Sequence, residues 1–507
     1  MLKFFLHIIQ HQENPQTPFR HVILTFIGAI TLRSYLELFS TRSAIPLEAY
    51  IHYSLSYICL AMSLVIIFYF ATREPIDKIA RVVLPCFIVL CLVPIADFLI
   101  SSGQGFGVYY FMPGEDDHML QRFFLFFGPF DGQGGCTPGQ RIEIALVIFM
   151  SYIYFYLKTK KVLRSVFFAF FIYVNIFIYI AMPFCMKAFF NVLGISFSYA
   201  NAVIVRFYVL LMLPLSMGVF YLYNKKYFVE IWKDSRPLRI IHFLLMVILG
   251  LVFTFNSGVQ ALELNFFWIF IPPAVIFAWL FSVMVNNIED YDIDRISNTG
   301  RPTVLKTIPS DHYSRLSWLF FLLALVYASA VGYTCFFIIL LWMINYFLYS
   351  SPPFRLKRIP FFSKMVISLN SLLLFELGFS LPAGDVMVAV PKIIVFFYLV
   401  CFTAAINFID IKDYLGDKNA GIKTLPTLLG LKKSKIIIGS SFLISYALTY
   451  FLVRELNLLF VMLGSGGIIF YLINRKNYSE RPIFIVYLLS IIFLIVKLFI
   501  RYWFNLQ

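Results

Sequence analysis

Charge is what this chain has least of. Of its 507 residues only 13% are Asp, Glu, Lys or Arg, while 61% are hydrophobic and Phe alone contributes 60. No soluble domain of this length needs so much apolar surface, so a soluble globular fold is excluded. The short alternating segments of a transmembrane barrel are missing too. Instead, apolar runs approach the roughly 20 residues that cross a bilayer as a helix. The start, Met1 to Arg20, lacks the charged-then-apolar-then-small order of a cleavable signal, leaving the first spanning segment as insertion signal. Cysteines are few: Cys59, Cys86, Cys91, Cys136, Cys185, Cys335 and Cys401 form no CxxC pair, and most sit inside apolar runs as small hydrophobes. The net charge of +15 is no nucleic-acid signature, because Lys and Arg cluster in short loops as orientation signals do.

The reading is therefore an all-α polytopic membrane protein. Apolar segments fall near 22–40, 50–71, 79–101, 141–158, 162–186 and 200–223, then near 240–257, 264–287, 315–332, 334–350, 363–381, 389–411, 434–453, 456–473 and 483–503. Alternate loops are rich in Lys and Arg through all fifteen segments. The positive-inside rule then places the N-terminus on the cytoplasmic side and the C-terminus outside. A cytoplasmic basic linker, 224–239, separates an N-terminal multi-span domain, 1–223, from a second domain, 240–507.

Two acidic clusters break the second domain. One reads Asn286-Asn287-Ile288-Glu289-Asp290-Tyr291-Asp292-Ile293-Asp294-Arg295, the other Asp410-Ile411-Lys412-Asp413-Tyr414-Leu415-Gly416-Asp417. Each follows an apolar run, and each follows the second span of a four-span block, hinting at an internal repeat plus a final helix. A carboxylate at a membrane-helix centre costs roughly 2.5–3.5 kcal/mol on insertion scales. Even at a membrane edge, two such clusters need a reason. The cheapest is a divalent cation shared between them with a phosphorylated ligand attached. Helical spacing puts Asn286, Asp290 and Asp294 on one face, with Asn287 beside them; Asp413 and Asp417 align likewise, Asp410 one turn earlier. Oxygen-only ligands suit Mg²⁺, and the absence of nearby His or Cys argues against zinc. Arg295, Arg301, Lys306, Arg355, Lys357, Arg358 and Lys423 surround the clusters as candidate phosphate ligands, Arg301 and Lys357 foremost.

The first cluster resembles the NDxxDxxxD signature of the UbiA superfamily of intramembrane prenyltransferases, followed by Arg301-Pro302 as in many members. The second resembles that family's DxxDxxxD-x3-G-x2-TLP, here Asp410 through Gly421 and Thr424-Leu425-Pro426. Between them, Tyr349-Ser350-Ser351-Pro352-Pro353-Phe354-Arg355-Leu356-Lys357-Arg358 matches the family's segment after the fourth helix, and the likeness covers about 236–507.

The resemblance implies a nine-helix bundle, here preceded by six further spans. It implies Mg²⁺ held by Asp290, Asp294, Asp413, Asp417, Asn286 and Asn287. Asp290, Asp294, Asp413, Asp417, Lys357 and Arg301 would be catalytic, and Asn286, Asn287, Asp410, Tyr349, Arg355 and Lys423 would contact substrate. The implied reaction transfers an isoprenyl group from a prenyl diphosphate to a small or lipid-like acceptor, releasing pyrophosphate. A terpene cyclase, or a non-catalytic lipid-binding scaffold or transporter, are the alternatives.

One position departs from the family: its Asp beside the first Asn is Asn287 here, which can ligate through oxygen but brings no charge. Acceptor choice is weakly written. The first helix of this half offers Asn256, Ser257 and Gln260 near its outer end, but no mid-helix Arg to clamp an aromatic carboxylate. The Asp410–Pro426 pattern looks closer to members acting on glycerol-phosphate lipids, chlorophyllides or homogentisate. Glu376, inside a span, could face the cavity or pair within the bundle. Residues 1–223 resemble no named family. Their most distinctive parts are Asp97 and the long 101–140 loop, with an acidic-His run Glu115-Asp116-Asp117-His118 read as a solvated loop.

Overall fold

The computed structural model describes residues 2–41, 46–108, 110–111, 119–128, 136–195, 200–256, 265–359, 362–419 and 421–505. The acidic-His run, Ser257 and Gln260 lie outside them. Fifteen helices among the described residues are long and apolar enough to cross a membrane, one for each expected segment, so the chain is an integral multi-pass membrane protein. Helices are the form such runs must take, because lipid offers no partner to an unpaired backbone amide. The chain divides into two compact units, Met1–Phe228 and Val229–Gln507.

The first unit holds α1 (Phe19–Thr41), α2 (Leu47–Thr72), α3 (Ile76–Ile100), α4 (Pro138–Thr159), α5 (Val162–Ile180) and α6 (Asn201–Tyr223). The expected 162–186 span divides at Ala181, because Pro183 opens a separate helix, Met182–Val192. α4 starts at a reciprocal cap: Thr137 Oγ1 accepts from Gln140 N–H at 3.1 Å, and Gln140 Oε1 accepts from Thr137 N–H at 2.9 Å. The preceding helix, Leu2–Gln12, is tied to α4 through Glu13, which pairs with Lys158 at 2.7 Å and accepts from Tyr154 at 3.1 Å. Asp97, near the end of α3, accepts from Gly139 N–H at 2.7 Å.

The second unit holds α7 (Pro237–Asn256), α8 (Phe266–Glu289), α9 (Ser310–Val331), α10 (Tyr333–Ser350), α11 (Phe362–Ala383), α12 (Lys392–Asn419), α13 (Leu431–Val453), α14 (Leu456–Asn474) and α15 (Glu480–Phe504). The expected basic linker is itself helical over Lys225–Asp234.

α8 and α11 are the most enclosed helices, each with 72% of its most apolar stretch buried. They are therefore the rigid supports on which a site can be built. α7 crosses α11 at two glycines. A Cβ on Gly250 would lie 1.9 Å from Phe375 O, and one on Gly378 would lie 1.8 Å from Val247 O. Only hydrogen side chains permit that approach, the usual device for packing helices in lipid. Thr254 Oγ1 adds a hydrogen bond to Phe379 O at 2.7 Å.

α12 is the irregular span. It runs α-helical over Lys392–Phe396, π-helical over Phe397–Phe402, 3₁₀ over Ile406–Ile409 and α-helical again over Asp410–Asn419. Such changes of pitch rotate everything downstream and occur preferentially at functional sites.

Candidate functional site

The first acidic motif sits where α8 stops. The helix ends at Glu289, Asp290 takes φ −99° and ψ 12°, and a short helix resumes over Tyr291–Ser297. Register survives the break. Asp290 N–H donates to Asn286 O at 2.9 Å, Asp294 N–H to Asp290 O at 2.8 Å, and Asn298 N–H to Asp294 O at 2.8 Å. Asn286, Asp290, Asp294 and Asn298 therefore share a flank and line one cavity of about 170 Å³, whereas Asp292 is exposed.

The last segment of α12 brings Asp410, Asp413 and Asp417 to the same cavity. Arg301 and Tyr349 also line it, as does Lys357, which is buried at 9% exposure on the turn after α10. Five aspartates thus meet six cations: Arg236, Arg239, Arg301, Lys357, Lys364 and Lys412. Deeper in, the wall turns apolar and aromatic, with Phe243, Trp279, Tyr346 and Tyr487.

The charges are partly matched. Lys357 donates to Asp290 Oδ1, and Arg355 reaches the same oxygen at 3.1 Å. Lys364 pairs with Asp410 at 2.7 Å. Asn298 donates to Asp294 Oδ1 at 2.9 Å. By contrast, among the described residues the Asp413 and Asp417 carboxylates have neither ion pair nor hydrogen bond, and the buried Asp294 Oδ2 and Asp410 Oδ2 have no hydrogen-bond partner.

Burial raises the Asp294 carboxyl above its ordinary value, against the pull of Arg301 and Asn298. Burial also lowers the Lys357 ammonium, against the pull of Asp290. Arg236 is pushed down to about 10 by burial first, then by Arg301 and Arg239 beside it. Crowded buried cations and half-satisfied buried carboxylates are together unfavourable alone. A metal–phosphate ligand would relieve both.

The donor set fits a hard cation. Among the described residues no three His, Cys, Asp or Glu side chains close on each other as a ready-made cage. Asp290 and Asp410 carry their own counter-cations, Lys357 and Lys364. Mg²⁺ needs no such cage, since it uses one or two carboxylates and completes its shell with phosphate oxygens and water.

Three expected contacts are not brought to the cavity wall. Asn287 is fully buried behind it. Its Oδ1 accepts from Arg236 and Arg301, both at 3.0 Å, and its Nδ2 donates to Asp234 and, at 2.9 Å, to Tyr313. One residue further along a helix is about 100° further around it, which carries Asn287 off the motif's flank. Its amide therefore positions two cavity arginines, with Asp234 bonding Arg301 at 3.1 Å from behind. Arg355 approaches from outside through Asp290 and Glu289 O, and Lys423 is exposed. Glu376 is half-buried and does not line the cavity.

Sequence reasoning missed Arg236, Arg239, Lys364, Lys412 and His242 as cavity residues. The four cations read as membrane-edge anchors, and nothing local separates an anchor from a ligand. His242, in the second turn of α7, is bonded on both ring nitrogens at 3.0 Å, to Ser371 Oγ and Tyr487 OH, and lines the cavity with Tyr487.

Residues 243–492 match the UbiA prenyltransferase family. The digeranylgeranylglyceryl phosphate synthase of Methanobrevibacter smithii is 30% identical over 185 residues, 34% of this chain and 62% of that one, so the chain spans under two thirds of that relative. The synthase of the same name from Sulfolobus acidocaldarius is 27% identical over 204 residues, 39% of this chain and 71% of that one. Among solved structures, a UbiA homolog from Archaeoglobus fulgidus bound to DMAPP and Mg2+ aligns at 22% identity and a TM-score of 0.43, covering 54% of this chain and 98% of that chain.

Proposed function

With residues 243–492 a member of the UbiA prenyltransferase family, we propose that the unit Val229–Gln507 transfers an isoprenyl group from a prenyl diphosphate to a lipid-like acceptor. The observation that carries this reading is the meeting of both aspartate motifs and six cations at one end of a cavity whose other end is aromatic and apolar. That polarity matches a diphosphate head on an isoprenoid tail.

Mg²⁺ would be held by Asp290 and Asp294 with Asn286 on one side and by Asp413 and Asp417 on the other, and when bound it supplies positive charge to the diphosphate oxygens. The chain does the rest. Lys357, Arg301 and Arg236 face the oxygens that remain, where charge grows as the C–O bond breaks, so they bind the departing pyrophosphate more tightly than the substrate. Trp279, Tyr346 and Tyr349 offer ring faces that stabilise an allylic cation. His242 is held through both ring nitrogens by Ser371 and Tyr487 and so fixes the wall rather than acting as base. As the acceptor hydroxyl oxygen captures the cation, its proton passes to the departing pyrophosphate.

The relatives' names favour a glycerol-phosphate lipid as acceptor. By the positive-inside rule the site faces the cytoplasm.

The test incubates the purified protein with geranylgeranyl diphosphate and candidate lipid acceptors, with MgCl₂ or EDTA, and measures pyrophosphate release and product mass. Mg²⁺-dependent release that rises with a glycerol-phosphate lipid is expected. Equal release without any acceptor would replace transfer with cyclisation or hydrolysis. No release with prenyl diphosphates of any length would refute the reading.

A further inference from the structure

A second cavity, of about 280 Å³, lies wholly within the unit Met1–Phe228. It is a tunnel rather than a pit. Its wall takes residues from Tyr53 to Phe68 along α2 and from Gln140 to Tyr154 along α4. At 1.5 Å per residue each stretch is about 21–22 Å long. One end is mostly apolar, built from Phe5, Ile9, Leu64, Phe68 and Val83, with Gln12 and Tyr154 as its polar members. The other gathers Arg33, Tyr53, Tyr57, Tyr110, Gln140 and Glu143.

The polar end is incompletely satisfied. Arg33 pairs with Glu37 at 3.3 Å and lies over the rings of Tyr53 and Tyr57, with its side chain only 4% exposed. Its Nε–H has no hydrogen-bond partner among the described residues. Glu143 faces Arg33 electrostatically, and no described residue gives its carboxylate a hydrogen bond or ion pair. Among the described residues a buried donor, Arg33 Nε–H, and a half-buried acceptor, the Glu143 carboxylate, are thus left open at the head of the tunnel, and the buried donor costs free energy until filled.

The hydrogen-bond inventory selects the guest. A phosphate accepts but does not donate, and it would enter among Glu37, Glu143 and Asp97. An ammonium donates but does not accept. A hydroxyl does both, donating to Glu143 and accepting from Arg33. We propose that the N-terminal unit is a binding site for a lipid alcohol: one long hydrocarbon tail in the tunnel, with its hydroxyl between Arg33 and Glu143. The hydroxyl belongs either to a simple long-chain alcohol or to a glycerol headgroup.

The probe is a C16 alcohol with a diazirine near its tail end and an alkyne handle, added to the full chain in phosphatidylcholine nanodiscs, with labelled peptides mapped by mass spectrometry. Saturable labelling near Leu64, Phe68 and Val83 is expected. Unlabelled hexadecanol or a monoacylglycerol should displace the probe at least tenfold better than hexadecylamine or hexadecyl phosphate, and the better of the first two identifies the hydroxyl's source. Glu143→Leu should weaken labelling about tenfold. Val147→Trp, which fills the tunnel, should abolish it at the deep end. If Val147→Trp fails to fold, Glu143→Gln, checked for an unchanged unfolding temperature, replaces it and should weaken labelling severalfold. Non-saturable labelling spread over lipid-facing residues would overturn the proposal. So would better displacement by the amine or the phosphate, or full labelling of a folded Glu143→Leu variant.

Discussion

Replacing Lys357 by Met separates a counter-ion from a catalytic cation. The Lys357 side chain is 8% exposed and donates to Asp290 Oδ1, an oxygen that also receives Arg355 at 3.1 Å. Stranding a buried charge costs about 3–5 kcal/mol. Here Asp290 keeps Arg355, and Met fills most of the lysine's volume, so the loss of stability should be only about 1 kcal/mol. The rate should respond far more. If the ammonium meets the leaving pyrophosphate, its removal resembles deletion of one preorganised transition-state donor, about 10²–10³ in kcat or roughly 3–4 kcal/mol. The assay is pyrophosphate release from geranylgeranyl diphosphate under saturating Mg²⁺, with KM resolved from kcat and unfolding followed by intrinsic fluorescence. Arg355→Met is the paired control. It removes another partner of Asp290, but one that does not line the cavity, so its rate loss should stay below about tenfold. Equal losses in both variants, or a Lys357→Met enzyme retaining about a third of wild-type kcat, would show that Lys357 merely neutralises Asp290.

Asp413→Asn and Asp417→Asn should each abolish Mg²⁺-dependent turnover while leaving the unfolding temperature equal or higher, since among the described residues neither carboxylate has an ion pair or hydrogen bond to lose; a clear drop in unfolding temperature would give them a structural role instead. Asn287→Leu should destabilise by about 3 kcal/mol, because Arg236, Arg301, Asp234 and Tyr313 all lose a buried contact. It should also raise KM for the diphosphate substrate, and an unchanged KM would remove Asn287 as the arginines' positioner. Gly378→Val should prevent assembly of the second unit, at about 3 kcal/mol or more, since its Cβ would lie 1.8 Å from Val247 O; normal yield and monodispersity in detergent would contradict the crossing described.

The fifteen spans were legible because a bilayer-length apolar run has one viable structure. The convergence of Asp290, Asp294, Asp413 and Asp417 was legible for a similar reason. Fourfold spacing fixes a helical flank, and the flank survives the break at Asp290 because the i→i−4 bonds run through it. What sequence could not supply was direction around a helix end. Asn286 and Asn287 are neighbours, yet one lines the cavity and the other braces arginines from behind. Nor could it sort the cations. Lys423 after α12 read as a phosphate ligand and Lys364 on α11 as a membrane-edge charge, but of the two Lys364 is the one folded against an aspartate, while Lys423 is exposed. The tunnel of the first unit was invisible because Arg33, Glu37 and Glu143 come from two helices roughly 110 residues apart, with no motif linking them.

The glycine crossing of α7 and α11 has a consequence for biosynthesis. Gly250 and Gly378 are separated by about 130 residues, so α7 leaves the ribosome long before the surface it fits exists. At roughly 5–20 residues per second the wait is on the order of ten seconds. Throughout it, the notch at Gly250 faces lipid or the insertion machinery. A photoreactive residue next to Gly250 in ribosome-stalled chains should crosslink to the insertase or to lipid at short lengths, and switch to α11 only once residues beyond Ala383 have emerged.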